Sequence, residues 1–154
     1  MKIGVALYKG EGNWKTKMIS WWTCSKYSHA ELVMPDEETW ISISPLLTSR
    51  VSSRVKKTWN EKDWDIFDFE VTSEQADTIQ SFYKETEGCY YDWIGMLLSQ
   101  FLPFKIKTED KWYCSEWIAH ALTLSCVINW RISRVHERAD LSPARLHEII
   151  VESL

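Results

Sequence analysis

Cys114 is the residue in this chain whose type and position best suit covalent chemistry. It stands in the run Lys111-Trp-Tyr-Cys-Ser-Glu-Trp-Ile-Ala-His-Ala-Leu122, whose apolar residues indicate a helix that begins close to the cysteine. The first turn of a helix carries free backbone N–H groups and the positive end of the helix dipole, and both stabilise a thiolate. The same N–H groups are suited to an oxyanion. The ordinary alternative is a buried core cysteine.

A nucleophilic thiol needs an imidazole within hydrogen-bond reach, and the chain has four histidines. His120 follows Cys114 by six residues, which places it off the Cys114 face of a helix and favours a structural role. His136 and His147 lie among charged residues and are expected to be solvated. His29 begins a predicted strand directly after a polar turn, so its ring can project over a sheet edge toward a helix N-terminus. From spacing alone, the pairing of His29 with Cys114 is a hypothesis.

Hydropathy patterning predicts strands in the first half of the chain. The predicted strands cover Lys2 to Tyr8, His29 to Met34, Thr39 to Ser44, Val51 to Val55 and Asp63 to Val71. The second and third of these form a hairpin around the turn residues 35–38. In the fifth strand the alternation slips between Ile66 and Phe67, which indicates a bulge.

Capping residues define the ends of two predicted helices in the second half. Thr72 or Ser73 caps a helix that Gly88 ends, and Ser142 with Pro143 opens the last helix. Further helices are predicted over 14–22 and 93–101, a helix or a strand-to-helix junction over 112–124, and a strand over 127–135. This order predicts a single α+β domain spanning the whole chain of 154 residues, with an antiparallel sheet and helices packed on it.

The overall charge argues against a nucleic-acid partner. The net charge is -4 at pH 7 and the pI is about 5.6, whereas nucleic-acid binders normally present a basic face. The local exception is the basic cluster of Arg50, Arg54, Lys56 and Lys57, which we interpret as a solvated loop. The alternative is a patch that steers an anionic substrate. The ten Trp residues indicate large rings that fill a core and line a groove.

The apolar runs predict neither an export signal nor a membrane span. Ile3 to Leu7 is too short for the core of a signal peptide, and no stretch approaches the roughly 18 apolar residues of a membrane helix. The expected location is cytoplasmic, where Cys24, Cys89, Cys114 and Cys126 are expected to be reduced. These cysteines form no Cys-x-x-Cys pair and no zinc-type spacing, so we expect no metal and no other cofactor.

Four short motifs follow one another along the chain. They are Met18 to Val33, which includes Tyr27-Ser-His29; Gly88-Cys-Tyr-Tyr-Asp92; Trp112-Tyr-Cys-Ser-Glu116; and Leu141-Ser-Pro143 with Leu146. Together and in this order they resemble the permuted members of the NlpC-type papain-like cysteine hydrolases, such as the bacterial and bacteriophage YiiX-like proteins. Each motif is short, and the four in order span most of the chain.

The resemblance implies a circularly permuted papain-like fold in which the histidine strand precedes the cysteine helix. It implies that Cys114 is the nucleophile and that His29 is the base that activates the thiol and later protonates the leaving group. Tyr27 and Tyr113 flank these two positions, and we predict that they shape the cleft or donate to an oxyanion.

The sequence leaves the third catalytic residue open. Many relatives carry Glu, His, Asn or Gln on the strand after the histidine strand, where this chain has Ser42 and Ser44. Glu31 is the alternative, because two residues along a strand return to the face of His29. We predict that Glu31 is the third catalytic residue. A surface Glu paired to a lysine is the competing interpretation.

Two functions from different classes follow from these residues. The first is a thiol hydrolase that cleaves an amide or an ester through an acyl-enzyme; substrates of the family include cell-wall peptides, peptide or isopeptide bonds and lipid acyl groups. The second is a non-catalytic ligand-binding domain on the same scaffold, which the departure at the third residue motivates. Fast reaction of Cys114 with iodoacetamide near neutral pH separates the two.

Overall fold

Strands precede helices in the structure, a computed structural model that describes residues 1–10, 17, 26–44, 49–92, 111–129 and 141–154. The helix predicted over 93–101 lies outside the described residues, and so does the helix predicted over 14–22 apart from Lys17. Within the described ranges the chain forms one five-stranded sheet, one short two-stranded sheet and three helices. The α+β class predicted from the sequence is confirmed.

The five-stranded sheet is antiparallel throughout. Its strands are β1 (Lys2–Tyr8), β2 (His29–Val33), β3 (Thr39–Ile43), β4 (Val51–Val55) and β5 (Trp64–Glu70), in the spatial order β4-β3-β2-β1-β5. The predicted hairpin joins β2 to β3, with Val33 paired to Trp40. β2, which begins with His29, therefore lies in the middle of the sheet; all of its residues pair with β1, whereas only Leu32 and Val33 pair with β3.

β5 contains no bulge. It pairs with β1 residue by residue, from Lys2 opposite Glu70 to Tyr8 opposite Trp64, so the predicted bulge is wrong. The slip in its hydropathy arises because apolar groups cover both faces of the strand. Phe67 packs against the main core, and Ile66 packs against a smaller cluster on the opposite face. Burial on both faces removes the polar alternation of a half-exposed strand.

The two faces of the sheet are covered differently. The main core lies on the face that carries Val5, Leu32 and Ile41, together with buried residues of the three helices. The smaller cluster on the other face contains Ala6, Val33 and Trp40. Because successive strand residues alternate between faces, Glu31 belongs to the face of Val33, away from the main core.

The three helices are α1 (Ser73–Thr86), α2 (Cys114–Leu124) and α3 (Pro143–Ser153). The predicted cap of α1 is a capping box, in which Thr72 Oγ1 accepts from Gln75 N at 3.2 Å and Gln75 Oε1 accepts from Thr72 N at 3.0 Å. Gly88 follows α1 with a φ of 84°, which favours glycine. Ser142 caps α3 by accepting from Arg145 N.

The C-terminal end of α2 forms a turn where a strand was predicted. Cys126 has a φ of 55°, and its N–H donates to Thr123 O at 3.0 Å. The N–H groups of Val127 and Ile128 both donate to Leu122 O. Because these donors close the helix end, they are not available to a sheet. The strand prediction is therefore wrong at 127–129, and its remainder lies outside the described residues.

A short parallel pair of strands brings two of the sequence motifs together. β6 (Tyr90–Tyr91) pairs with β7 (Lys111–Trp112), and Asp92 N donates to Trp112 O at 2.8 Å. One residue, Tyr113, separates β7 from α2. The segment from Gly88 to Asp92 therefore lies beside the chain that leads into Cys114.

Candidate active site

Cys114 is the first residue of α2, as the sequence predicts. The residue before it, Tyr113, is the N-cap in an extended conformation and makes no side-chain cap. The thiol is buried and hydrogen-bonded to the backbone N–H groups of Ala30 and Ser115. Ser115 belongs to the same helical turn, whereas Ala30 is the second residue of β2, so the sulfur sits where the helix start meets the strand.

The side chains of Cys114 and His29 are hydrogen-bonded to each other. Burial by itself raises the pKa of the Cys114 thiol, but the hydrogen bond and the charge of His29 outweigh it and bring that pKa below its ordinary value. Burial by itself lowers the pKa of His29, but Cys114 and Glu31 raise it to about 9. The two directions agree, because each group favours the charged form of the other. Both shifts favour a pair of thiolate and imidazolium over a pair of neutral groups.

Glu31 is the side chain that contacts the imidazole from the other side. Its Oε1 lies 3.3 Å from His29 Nε2, a contact longer and less well aligned than an ideal hydrogen bond. Glu31 is 1% exposed, and burial by itself raises the pKa of its carboxyl group. The contacts with His29 and Arg54 lower this pKa by more than burial raises it, so it lies below its ordinary value. The carboxylate is therefore ionised and faces the imidazolium. Ser42 and Ser44, the alternatives considered for this position, are also buried.

Arg54 is a member of the site that the sequence analysis placed in a solvated loop. It lies in β4 opposite Trp40 of β3, and its Nη2 donates to Oε1 of Glu31. Its side chain is 38% exposed. The sequence signal for this position is the alternation of the predicted strand 51–55, which puts Arg54 and Val51 on opposite faces of the sheet. The strand order that brings the face of Arg54 to Glu31 cannot be predicted from the neighbouring residues.

Tyr27 lies in the same segment as His29, but its hydroxyl is bound elsewhere. It donates to Asp65 Oδ2 at 2.6 Å, and Asp65 also accepts from Lys9 and Lys26. The contact fixes the residues that precede β2 to the neighbouring end of β5. The structure thus gives Tyr27 an anchoring contact, and its role toward a substrate stays a prediction.

Replacing Asp65 with Asn is expected to lower the free energy of unfolding by about 1–2 kcal/mol at pH 7, with allowance for partial solvent exposure. Burial by itself raises the pKa of Asp65, but hydrogen bonds from Lys9, Tyr27 and Lys26 lower it to about 2. A carboxyl group whose pKa is lower in the folded state stabilises the fold at pH values above its unfolded-state pKa. This contribution is lost as the pH falls through the folded-state pKa of about 2. Urea unfolding at pH 7, 4 and 2 measures it.

The matched control for this charge change is Asp77→Asn on the exposed face of α1. It should change the free energy of unfolding by less than about 0.5 kcal/mol at every pH. If the difference between Asp65→Asn and the parent stays constant from pH 7 to pH 2, the Asp65 contacts do not supply the predicted pH-dependent stability.

Tyr113 and Tyr91 place two phenol rings close to Cys114. Tyr113 is buried directly before the cysteine. Burial raises the pKa of Tyr91 well above its ordinary value, and the nearby Cys114, Tyr113 and Asp92 raise it further. Tyr91 therefore stays a neutral O–H group within electrostatic range of the thiol. Tyr91 belongs to the second of the four sequence motifs, and no role was predicted for it.

Two of the remaining histidines pack against aromatic rings. His120 lies 5.1 Å from the ring of Phe82 and 5.2 Å from that of Trp112, measured between centroids, in keeping with the structural role expected for it. His147 is half-buried, with ring centroids 5.1 Å from Tyr27 and 5.3 Å from Phe67. The expectation of a solvated His147 is wrong, because α3 turns this face toward the sheet. His136 lies outside the described residues.

Ser115 links the nucleophile helix to the C-terminal motif. Its buried hydroxyl donates to the carbonyl oxygen of Leu141, directly before the Ser142 cap of α3. A hydroxyl at this position next to Cys114 thus holds the start of α3 against the first turn of α2. This contact relates the third and fourth sequence motifs in space.

The described residues contain neither a metal site nor a membrane-spanning helix. Across 1–10, 17, 26–44, 49–92, 111–129 and 141–154, no group of three or more His, Cys, Asp or Glu is placed to hold a metal ion. Within the same ranges, no helix combines the length and apolar character of a membrane span. The chain matches no protein-family model and no curated protein sequence.

Proposed function

We propose that this protein is a cysteine hydrolase with a circularly permuted papain-like fold, which cleaves an amide or an ester through an acyl-enzyme on Cys114. The observation that carries the proposal is the hydrogen bond between Cys114 and His29 at the start of a helix, with the ionised Glu31 behind the imidazole. A helix N-terminus, a paired imidazole and an orienting carboxylate are the parts that an activated thiol requires.

In the first half of the reaction the thiolate of Cys114 attacks the substrate carbonyl carbon and forms a C–S bond. The carbonyl oxygen takes up the negative charge, and the positive end of the α2 dipole at Cys114 is suited to stabilise it. The imidazolium of His29 donates its proton to the leaving amine or alcohol as the C–N or C–O bond breaks.

In the second half, the neutral His29 takes a proton from a water molecule that attacks the thioester. The C–S bond breaks, the carboxylic acid is released, and the proton returns the pair to its starting state. Glu31 does not exchange protons in this scheme. It stabilises the imidazolium and fixes the orientation of the ring, as the carboxylate of a catalytic triad does.

The substrate class in this proposal is an acyl compound with an amide or ester bond: a peptide, a cell-wall peptide or a lipid acyl chain. The resemblance to the NlpC-type hydrolases supports all three. The acidic net charge supports the absence of a nucleic-acid substrate.

The proposal is tested by trapping the acyl-enzyme. The protein is incubated with a panel of p-nitrophenyl esters and peptide amides, quenched in acid and digested, and each cysteine peptide is analysed by mass spectrometry. We expect an added acyl mass on the Cys114 peptide and release of the leaving group at a matching rate. If no member of the panel acylates Cys114 and iodoacetamide reacts with it no faster than with the exposed Cys126, the ligand-binding domain is the better assignment.

A further inference from the structure

One oxygen of Glu31 serves two cationic side chains. Oε1 receives Nη2 of Arg54 and lies 3.3 Å from Nε2 of His29, whereas Oε2 is buried and has no hydrogen-bond partner among the described residues. The carboxylate is thus held through a single atom. Arg54 reaches that atom from β4, a strand that is not adjacent to β2 in the sheet.

Glu31 cannot stay ionised at this depth without a permanent positive charge beside it. An unpaired carboxylate that is 1% exposed takes up a proton, because burial disfavours its charged form. His29 alone is not a permanent cation, since it gives up its proton in each catalytic cycle. The guanidinium of Arg54 keeps its charge at every working pH and remains when the imidazole is neutral.

A second cation near Glu31, Lys56, packs against the smaller cluster on the face of the sheet opposite the main core. Lys56 is close enough to interact with Glu31, and its Nζ lies 3.9 Å from the ring centroid of Trp40 and 3.8 Å from that of Trp64. Among the residues that the structure describes, the charged or titratable groups that act on the pair of His29 and Glu31 are Cys114 from α2, Arg54 from β4 and Lys56 from the segment after β4. Of these, Arg54 makes the direct hydrogen bond to the carboxylate.

We propose that Arg54 is a positioning residue of the catalytic site, which keeps Glu31 ionised and fixes the oxygen that faces His29. This inference rests on the proposed function, because it assigns Arg54 a task in the same site. Arg54 acts on the thiol only through Glu31 and His29. The basic cluster of the sequence is therefore split: Arg54 belongs to the site, and Lys57 is exposed at the surface.

The test is the pH dependence of alkylation at Cys114. Rates with iodoacetamide are measured from pH 4 to pH 9 and assigned to the Cys114 peptide by mass, for the parent, Arg54→Met, Arg54→Lys, Glu31→Gln and the double variant Glu31→Gln/Arg54→Met. We expect Arg54→Met to move the midpoint of thiolate formation upward by about one pH unit, toward Glu31→Gln. Arg54→Lys keeps the charge and should recover at least half of this shift. The double variant should match Glu31→Gln.

Lys57→Met is the matched control, since it removes one positive charge three residues further along the chain, and its midpoint should equal that of the parent. If Arg54→Met does not fold, Arg54→Gln takes its place, because it lacks the charge but keeps a polar head group. If thiolate formation in the parent has a midpoint well below pH 8.5 and Arg54→Met has the same midpoint, this inference alone is overturned. Shifts that add in the double variant overturn it as well, since Arg54 would then act independently of Glu31. A parent midpoint near 8.5, the value of an unperturbed thiol, overturns the proposed function and this inference together.

Discussion

Replacing Cys114 with Ser is expected to lower the hydrolysis rate of any susceptible ester or amide by about 10⁴- to 10⁶-fold, which is the scale of losing the nucleophile of a catalytic triad. Serine is nearly isosteric but has a far higher pKa than cysteine, so His29 no longer faces a preformed anion. Initial rates with the best substrate of the acylation panel measure the loss. The added acyl mass on this peptide should disappear at the same time.

Cys126→Ser is the matched control for the change from thiol to hydroxyl. Cys126 is an exposed free thiol after the end of α2, far along the chain from the helix start. Its replacement should leave the rate within about twofold of the parent. Both variants should keep the circular dichroism spectrum and unfolding midpoint of the parent. Retention of more than a tenth of the activity in Cys114→Ser contradicts the assignment of the nucleophile.

Most of the secondary structure of the described part could be predicted because its signals are local; the short strands β6 and β7 and the turn at 127–129 are exceptions. The strand over Lys2 to Tyr8, the hairpin at residues 35–38 and the capping pair of Thr72 and Gln75 each depend on residues that are neighbours in sequence. The helix start at Cys114 is of the same kind, since an apolar periodic run follows it directly. Such features need no knowledge of the tertiary fold.

The parts of the site that the sequence analysis missed depend on contacts between distant segments. Arg54 reaches Glu31 across 23 positions of sequence, and Tyr91 comes close to Cys114 through the parallel pairing of β6 with β7. Basic residues on a short strand are solvated in most proteins, so the local pattern favours a surface role for Arg54. Only the strand order turns that side chain toward a buried carboxylate.

The bulge predicted in β5 has the same physical origin. Alternation of polar and apolar residues indicates a strand with one solvent-exposed face. The sequence around Ile66 and Phe67 does not alternate in this way, because apolar residues cover both faces of this sheet. The second cover is small, with Trp40 at its centre, and it has no sequence signature of its own. The same face holds Glu31 and Arg54, so the wrongly predicted bulge and the missed role of Arg54 both arise on this face.

Replacing His29 with Ala is expected to slow alkylation of Cys114 by about 10- to 100-fold at pH 6.5, because an unperturbed thiol with a pKa near 8.5 is only about 1% ionised there. Burial by itself raises the pKa of the Cys114 thiol, and His29 is the largest influence that lowers it. Without the imidazole, the midpoint of thiolate formation should therefore lie at or above about pH 8.5. Rates between pH 5 and pH 10, assigned to the Cys114 peptide, measure the shift.

The pH dependence of the hydrolysis rate tests His29 at the alkaline end, where its imidazolium loses its proton. The pKa of His29 is about 9 as a result of burial, which lowers it, and of Cys114 and Glu31, which raise it. Proton donation to the leaving group requires the protonated ring, so the parent should lose activity as the pH rises through about 9, whereas thiol alkylation should not fall there. His147→Gln is the matched control, because His147 packs against Phe67 and Tyr27 outside the triad. In this variant the pH dependence of alkylation and that of hydrolysis should both equal those of the parent. An unchanged alkylation profile in His29→Ala, with the fold intact, would show that the helix start alone activates Cys114 and that His29 is not its base.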